Sequence, residues 1–267
     1  LPNTTLLHCS DNPGFLGVAP EPIHRNLHEF SELMKNNNLN CGLATDGDAD
    51  RIGLYDSKGN FIDSHHIILL LIHYLVKYKR LTGKVITTFS CSEKIKHLCK
   101  YYGLEHETVQ IGFKYISGKM ITEDILLGGE ESGGIAIKGH IPERDGIWIG
   151  LILFEFMAKS GKSLEDLIEE IYDIVGSFAF ERIDLHIDDK IKNNIISNCK
   201  SGIYKEFGDY KTERIETIDG FKFFLNEDSW LMIRPSGTEP VLRTYAESST
   251  QEKALNILES VRQTLLV

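Results

Sequence analysis

The stretch CGLATDGDADRIGLYDSKGNFI, residues 41–62, sets three aspartates between two runs of apolar residues. CGLAT (41–45) reads as a short buried strand and RIGLYD (51–56) as another, with a turn at SKGN. Asp46, Asp48 and Asp50 therefore lie on the connection between two strands, alternating with Gly47 and Ala49 and followed directly by Arg51. Three like charges so close repel one another unless something positive sits among them. Carboxylate oxygens on a tight loop can converge on one hard cation, and Mg²⁺ favours such ligands while sharing its sphere with phosphate or water. The absence of His and Cys ligands disfavours zinc and copper. An EF-hand fails, because Arg51 stands where its glycine is required and Ser57 where its final glutamate is required. The competing reading is an acidic turn whose side chains splay into water. Arg51 is read either as an ion-pair partner of the aspartates or as a cation facing a substrate phosphate.

Outward from this loop the pattern changes twice. Before it, Pro22 is placed at a helix start, with Leu27, Phe30, Leu33 and Met34 at helical spacing. From about 64 to 175 helices and strands alternate, which indicates layered α/β domains with mixed, mainly parallel sheets. The run IILLLIHYLV (67–76) reads as a helix buried on nearly every side. From about 177, strands follow in quick succession with flanking helices, which indicates a separate C-terminal α+β domain. The last helix is expected to open at Ser249 with Glu252 three residues on, a capping-box pattern.

The 267 residues carry a net charge of -10, which argues against broad nucleic-acid binding but allows a local basic pocket for a small anion. The longest apolar run is too short to span a bilayer, so no membrane partner is expected. The five cysteines (Cys9, Cys41, Cys91, Cys99, Cys199) form no C-x-x-C pair and fit a reducing, cytoplasmic compartment.

Two further loops carry chemistry. LLGGEESGG (126–134) has glycines at the outer spacing of a P-loop, but Gly134 and Ile135 stand where Lys and Ser/Thr are required. Its acids would repel phosphate. Glu130 and Ser132 instead suit sugar hydroxyls, since a carboxylate accepts hydrogen bonds from adjacent OH groups. RPSGTEPVLR (234–243) gathers Arg234, Ser236, Gly237, Thr238 and Arg243, the donor types of an anion nest. The competing readings are a flexible surface turn and a β-turn with solvated arginines. Lys114 in IGFKYI is a proton shuttle, a phosphate clamp or an ordinary surface lysine. GHIPERDGI (139–147) offers His140 and Arg144 near a helix start, with Asp145 as its cap.

Taken together, TDGDADR, GGEESGG and RPSGTEP, in that order, resemble the metal, sugar and phosphate loops of the α-D-phosphohexomutases. That family includes phosphoglucomutase, phosphomannomutase and phosphoglucosamine mutase. GFKYI, GHIPERDGI and DNPGF…PEP are similar to its flanking stretches, so the resemblance covers essentially the whole chain. It implies the end of domain two over residues 1–62, domain three over 63–175 and domain four over 176–267. It implies an isomerase acting by intramolecular phosphotransfer between hexose 1-phosphate and hexose 6-phosphate, through a phosphoserine and a bisphosphate intermediate.

Carried over by residue, the resemblance makes Asp46, Asp48 and Asp50 Mg²⁺ ligands and makes Arg51 and Lys114 catalytic-site cations. Glu130 and Ser132 grip the sugar, and Arg234, Ser236, Gly237, Thr238 and Arg243 hold the distal phosphate. Glucose 1,6-bisphosphate is the implied activator. The family's phosphorylated serine is not found here. HCSDNP (8–13) echoes its motif loosely, but the flanks differ and the segment falls a domain too late. A C-terminal fragment lacking the serine domain is therefore expected, inactive alone, with that N-terminal domain as its partner. Gly134 stands where mannose- and glucosamine-handling relatives carry His, which points to glucose phosphate first and mannose phosphate second. A non-catalytic module that binds sugar phosphates is the alternative from another class.

Overall fold

The structure is a computed structural model that describes residues 3–236 and 241–266. It divides into two units. The first comprises the chain through Thr108 together with Gly112–Ile174, and the second comprises Val109–Ile111 and the chain from Val175 on.

In the first unit, the chain is irregular before helix α1 (His28–Asn36). The helix expected at Pro22 is displaced. Pro22 precedes a 3₁₀ turn at His24–Asn26, and the α-helix starts only at His28. The cause is close backbone packing: the Pro22 carbonyl lies 2.4 Å from where a Cβ on Gly53 would stand. Pro22 itself centres a tight turn, in which the Ile23 N–H donates to the Glu21 carbonyl at 2.9 Å. Strands β1 (Gly42–Thr45), β2 (Ile52–Tyr55) and β3 (Phe61–Ile62) form this sheet as an antiparallel meander. Thr45 pairs with Ile52, so residues 46–51 are the whole hairpin loop.

Helix α2 (Ser64–His73) is capped by Asp63, which accepts from the His66 N–H, and is buried along almost its full length. It continues as a π-turn over Tyr74–Tyr78. There follow β4 (Lys84–Thr88), α3 (Glu93–Tyr102), β5 (His106–Val109), α4 (Phe113–Thr122), β6 (Ile125–Gly129), β7 (Ile135–Ile137), α5 (Gly146–Ser160) and α6 (Leu164–Val175). The sheet order is β5-β4-β6-β7, with β4 and β6 parallel and β6 and β7 antiparallel. The layered mixed α/β fold is as expected. Parallel pairing is narrower than expected, because the links between β1 and β2, β2 and β3, and β6 and β7 are too short for a parallel crossover.

Glycines set how closely these layers approach. On β6, an added Cβ at Gly128 would lie 2.2 Å from Ile116 of α4, and one at Gly129 would lie 2.6 Å from Ile68 of α2. On α5, a Cβ at Gly150 would meet Leu43 of β1 at 1.8 Å.

The second unit contains β8 (Ala179–His186), α7 (Asp189–Ser201), β9 (Glu206–Phe207), β10 (Tyr210–Lys211), β11 (Arg214–Glu216), β12 (Phe221–Asn226), β13 (Ser229–Pro235), β14 (Val241–Ser248) and α8 (Gln251–Leu265). Five strands in the order β11-β12-β13-β14-β8 form an antiparallel sheet. One face packs Phe223, Leu231, Ile233, Leu242 and Ala246 against the apolar sides of α7 and α8. The cap of α8 is one residue later than expected. Thr250, in an extended conformation, accepts from the Lys253 N–H, while the Ser249 hydroxyl accepts from the Lys253 ammonium instead.

Replacing Gly150 by Val forces a side chain into Leu43 at the α5–β1 contact. We expect a loss of about 2 kcal/mol, the usual scale of core overpacking. The loss should register as a lower urea midpoint at unchanged slope.

Candidate functional site

The hairpin between β1 and β2 closes on itself through a hydrogen bond of 3.2 Å from the Ala49 N–H to the Asp46 carbonyl. Ala49 adopts a left-handed φ of 58°, a conformation that disfavours any residue with a Cβ. This tight turn gathers the acids: one carboxylate oxygen each from Asp46, Asp48 and Asp50 lies within 4.8 Å of the others. Asp46 is buried, Asp50 half-buried and Asp48 exposed. The oxygens thus converge and do not splay.

Arg51 is locked onto this turn. Its N–H donates to Asp46 Oδ1 at 3.0 Å, its Nε–H to Asp46 Oδ2 at 2.5 Å, and its Nη1 to Glu21 at 3.4 Å. Burial pushes the Asp46 carboxyl up, but the Arg51 hydrogen bonds outweigh it and hold the group below the usual carboxylate range. Asp50 moves the other way. Burial raises it, Arg144 opposes, and the charges of Asp46 and Asp48 add to the rise. An all-oxygen set with one exposed member fits a hard divalent ion. Mg–O bonds of about 2.1 Å bring neighbouring ligand oxygens to about 3 Å, so the carboxylates draw together on such an ion, and each carboxylate oxygen has a second lone pair to share.

The second loop is the turn between β6 and β7. The Glu130 N–H donates to the Gly134 carbonyl at 3.0 Å, and the Gly133 N–H to the Glu130 carbonyl at 3.1 Å. Glu130 is buried, and its Oε1 accepts from the Gly112 N–H just ahead of α4 at 3.1 Å. Burial pushes its carboxyl up, against the pull of Arg144 and the Gly112 N–H. Ser132 is half-buried in the same turn.

Backbone contacts lace the two loops together. Ile52 N–H donates to the Gly133 carbonyl at 3.2 Å, and Arg51 bridges Gly134. The Gly146 N–H at the start of α5 donates to the Ala49 carbonyl at 2.9 Å. Gly133 has a φ of 97°, and a Cβ there would lie 2.7 Å from the Ile52 carbonyl oxygen.

Arg144 belongs to this site, although the sequence placed it only near a helix start. Its Nη2 lies 2.5 Å from Asp50 Oδ2 and its Nη1 lies 3.8 Å from Glu130 Oε2. Its guanidinium stands 5.5 Å from the Phe113 ring centre. Asp145 caps α5 as expected, accepting from the Trp148 N–H, and pairs with His140 at 2.8 Å. Lys114 is exposed on the first turn of α4, its ammonium 5.0 Å from the Tyr115 ring centre. It forms no ion pair with the aspartates among the described residues.

In the second unit, Arg234 on β13 stands opposite Arg243 on β14, which in turn stands opposite Asp184 on β8. Directly opposed residues project from the same sheet face. The Arg234 Nε–H donates to Asp219 at 3.2 Å. Ser236 is buried, and its N–H donates to the Val241 carbonyl at 2.9 Å. Gly237 and Thr238 lie outside the described residues.

Three family models match this chain. Those described as phosphoglucomutase/phosphomannomutase, alpha/beta/alpha domains II and III, match residues 2–59 and 63–175, and the C-terminal domain model matches 189–264. A phosphoglucomutase/phosphomannomutase of Thermococcus kodakarensis is 30% identical over 242 residues, which cover 90% of this chain and 50% of that protein. A phosphoglucosamine mutase of Methanocaldococcus jannaschii is 32% identical over 252 residues, covering 92% and 53%. A crystal structure from Thermus thermophilus, assigned as a phosphomannomutase, matches with a TM-score of 0.82 at 30% identity over 96% of this chain and 53% of that one. The chain thus spans about half the length of the relatives it matches.

Gly133→Ala adds a Cβ where both φ and the Ile52 carbonyl forbid it. It should lower stability by about 2–3 kcal/mol. Gly118→Ala, on the exposed side of α4 with nothing within 4 Å, should instead hold or gain up to about 1 kcal/mol. Parallel urea titrations of the two variants check the contrast.

Proposed function

We infer, from a chain that belongs to the phosphoglucomutase/phosphomannomutase family, that it supplies the metal, sugar and distal-phosphate sites of a phosphohexomutase. The observation that carries the reading is the convergence of Asp46, Asp48 and Asp50 within 4.8 Å on a loop laced to the Glu130 turn.

In this reading Asp46, Asp48 and Asp50 hold Mg²⁺, with Arg51 fixing the orientation of Asp46. When bound, the ion neutralises charge beside a transferring phosphoryl group. Glu130 accepts hydrogen bonds from sugar hydroxyls, and Ser132 adds a hydroxyl of its own. Arg234, Ser236, Gly237, Thr238 and Arg243 bind the phosphate that is not reacting, where arginine forks match its oxygens. Lys114 supplies a mobile cation or proton carrier at the mouth of α4. Because hexose 1-phosphate and hexose 6-phosphate present opposite ends, one set of hydroxyl and phosphate contacts serves both orientations.

The reacting phosphate comes from a phosphoserine that the family carries in a preceding domain, with glucose 1,6-bisphosphate as intermediate and activator. This chain contributes no such serine, so alone it binds hexose phosphates without turning them over. Its residues in domain two end near 62 and in domain three near 175. Glucose phosphate is the first substrate, because Gly134 leaves the sugar turn without a side chain at that point. Glucosamine phosphate is the second reading, favoured by the phosphoglucosamine mutase of Methanocaldococcus jannaschii as a relative.

Two measurements test this. Calorimetric titration with Mn²⁺ should show one site, weakened about tenfold or more in Asp48→Asn, since ligand charge sets affinity. Glucose 1-phosphate with the bisphosphate should give no glucose 6-phosphate with this chain alone. Turnover should appear when the serine-bearing half of a relative is added. Turnover by the chain alone, or Mn²⁺ binding indifferent to Asp48, defeats the reading. Titration with the 6-phosphates of glucose, mannose and glucosamine ranks the substrates, and hexose phosphate binding that never yields turnover with the added half favours a non-catalytic module.

A further inference from the structure

Two arginines neutralise the aspartate loop, and they are held in different ways. Arg51 is part of the loop, and its backbone N–H and its side chain both bind Asp46. Displacing it would undo the hairpin itself. Arg144 arrives from the segment before α5 and touches the loop only through Asp50, at 2.5 Å. Its other fork points to Glu130, 3.8 Å away and beyond hydrogen-bond range. Its Nε–H is buried and has no acceptor among the described residues, with Glu143 Oε1 at 3.6 Å. A buried donor without an acceptor favours any rearrangement that supplies one.

The space around Arg144 is set by Gly134. A Cβ at that position would lie 2.3 Å from Arg144 Cδ and 3.1 Å from its Cγ. The arginine therefore reaches Asp50 by crossing directly over a residue with no side chain. Gly134 is not in the left-handed region, so alanine suits its backbone, and its Cβ would crowd Arg144 first and stand 3.3 Å from Glu130 Oε2.

Building on the proposed metal site, we propose that Arg144 is a positioning residue that stands in for the divalent ion on Asp50 and yields that carboxylate when the ion arrives, moving toward Glu130 and the substrate. A doubly charged ion on Asp50 repels a guanidinium on the same carboxylate, and at these separations the repulsion exceeds thermal energy. Of the two arginines, the one tied to the aspartate loop by a single side-chain contact is the one that moves. Arg144 then couples the metal loop to the sugar turn, because leaving one acid brings it onto the other.

The test is Mn²⁺ titration of the 267-residue chain as wild type, Arg144→Gln and Gly134→Ala. A residue that only supports the fold would weaken Mn²⁺ binding when removed. A competitor for Asp50 does the opposite, so Arg144→Gln should bind Mn²⁺ about three- to tenfold more tightly. Gly134→Ala keeps the charge but crowds the arginine off its path, and it should also bind more tightly. Unchanged or weaker Mn²⁺ binding in a folded Arg144→Gln overturns the proposal. If Arg144→Gln does not fold, Gly134→Ala decides by the same criterion. Loss of all Mn²⁺ binding in the wild type would instead defeat the metal site itself, a separate outcome read from the Asp48→Asn comparison.

Discussion

Repulsion among three carboxylates on one short hairpin is the constraint from which the first unit is organised. Asp46 is buried and charged, and a buried carboxylate is tolerable only when its oxygens are hydrogen-bonded. Arg51 meets that need with both backbone and side chain. Because Arg51 directly precedes β2, the charge pair holds the end of the loop where the strand starts. Asp50 finds its cation in a segment almost a hundred residues away in sequence, which draws the start of α5 against the loop. The electrostatics of the loop thus dictates the packing of its neighbours.

That packing is possible because backbone meets backbone where the segments cross. Gly146 N–H reaches the Ala49 carbonyl, and a Cβ at Gly146 would lie 2.6 Å from the Arg51 carbonyl oxygen. Gly133 reaches Ile52 in the same manner. Rigid peptide groups, not long side chains, set the distance between the aspartate loop and the Glu130 turn. Backbone packing of this kind holds the backbone of the acidic loop in place, and under the proposed function that lowers the ordering cost of binding.

The parts legible in the sequence were the local ones. The aspartates, their flanking strands, the buried helix after Asp63 and the Glu130 turn each announced themselves within about ten residues through period, glycine placement or charge. What escaped depended on distant partners. Pro22 carried a helix-start signal, but its carbonyl packs on Gly53 and the chain makes a tight turn there before the α-helix starts at His28. Ser249 and Glu252 had the spacing of a capping box, yet the chain turned one residue later, at Thr250. Arg144 was visible only as a basic residue near a cap. Nothing local could show that it reaches Asp50, because that contact is set by Gly134 and by the docking of α5. Gly112 was similarly unmarked, since its role is to offer a backbone N–H to Glu130.

The second unit applies the same electrostatic logic to the opposite sign. Arg234 and Arg243 face each other across the β13–β14 ladder, an arrangement that destabilises a sheet when both charges stand alone. Asp219 accepts from Arg234 on one side, and Asp184 stands opposite Arg243 on the other, itself bound by Arg182 through two hydrogen bonds. Acids at both flanks offset the repulsion. In a protein of net charge -10, keeping two cations side by side at a strand end runs against the general composition. Under the proposed function this pair meets the oxygens of a phosphate, to which arginine can turn a planar fork.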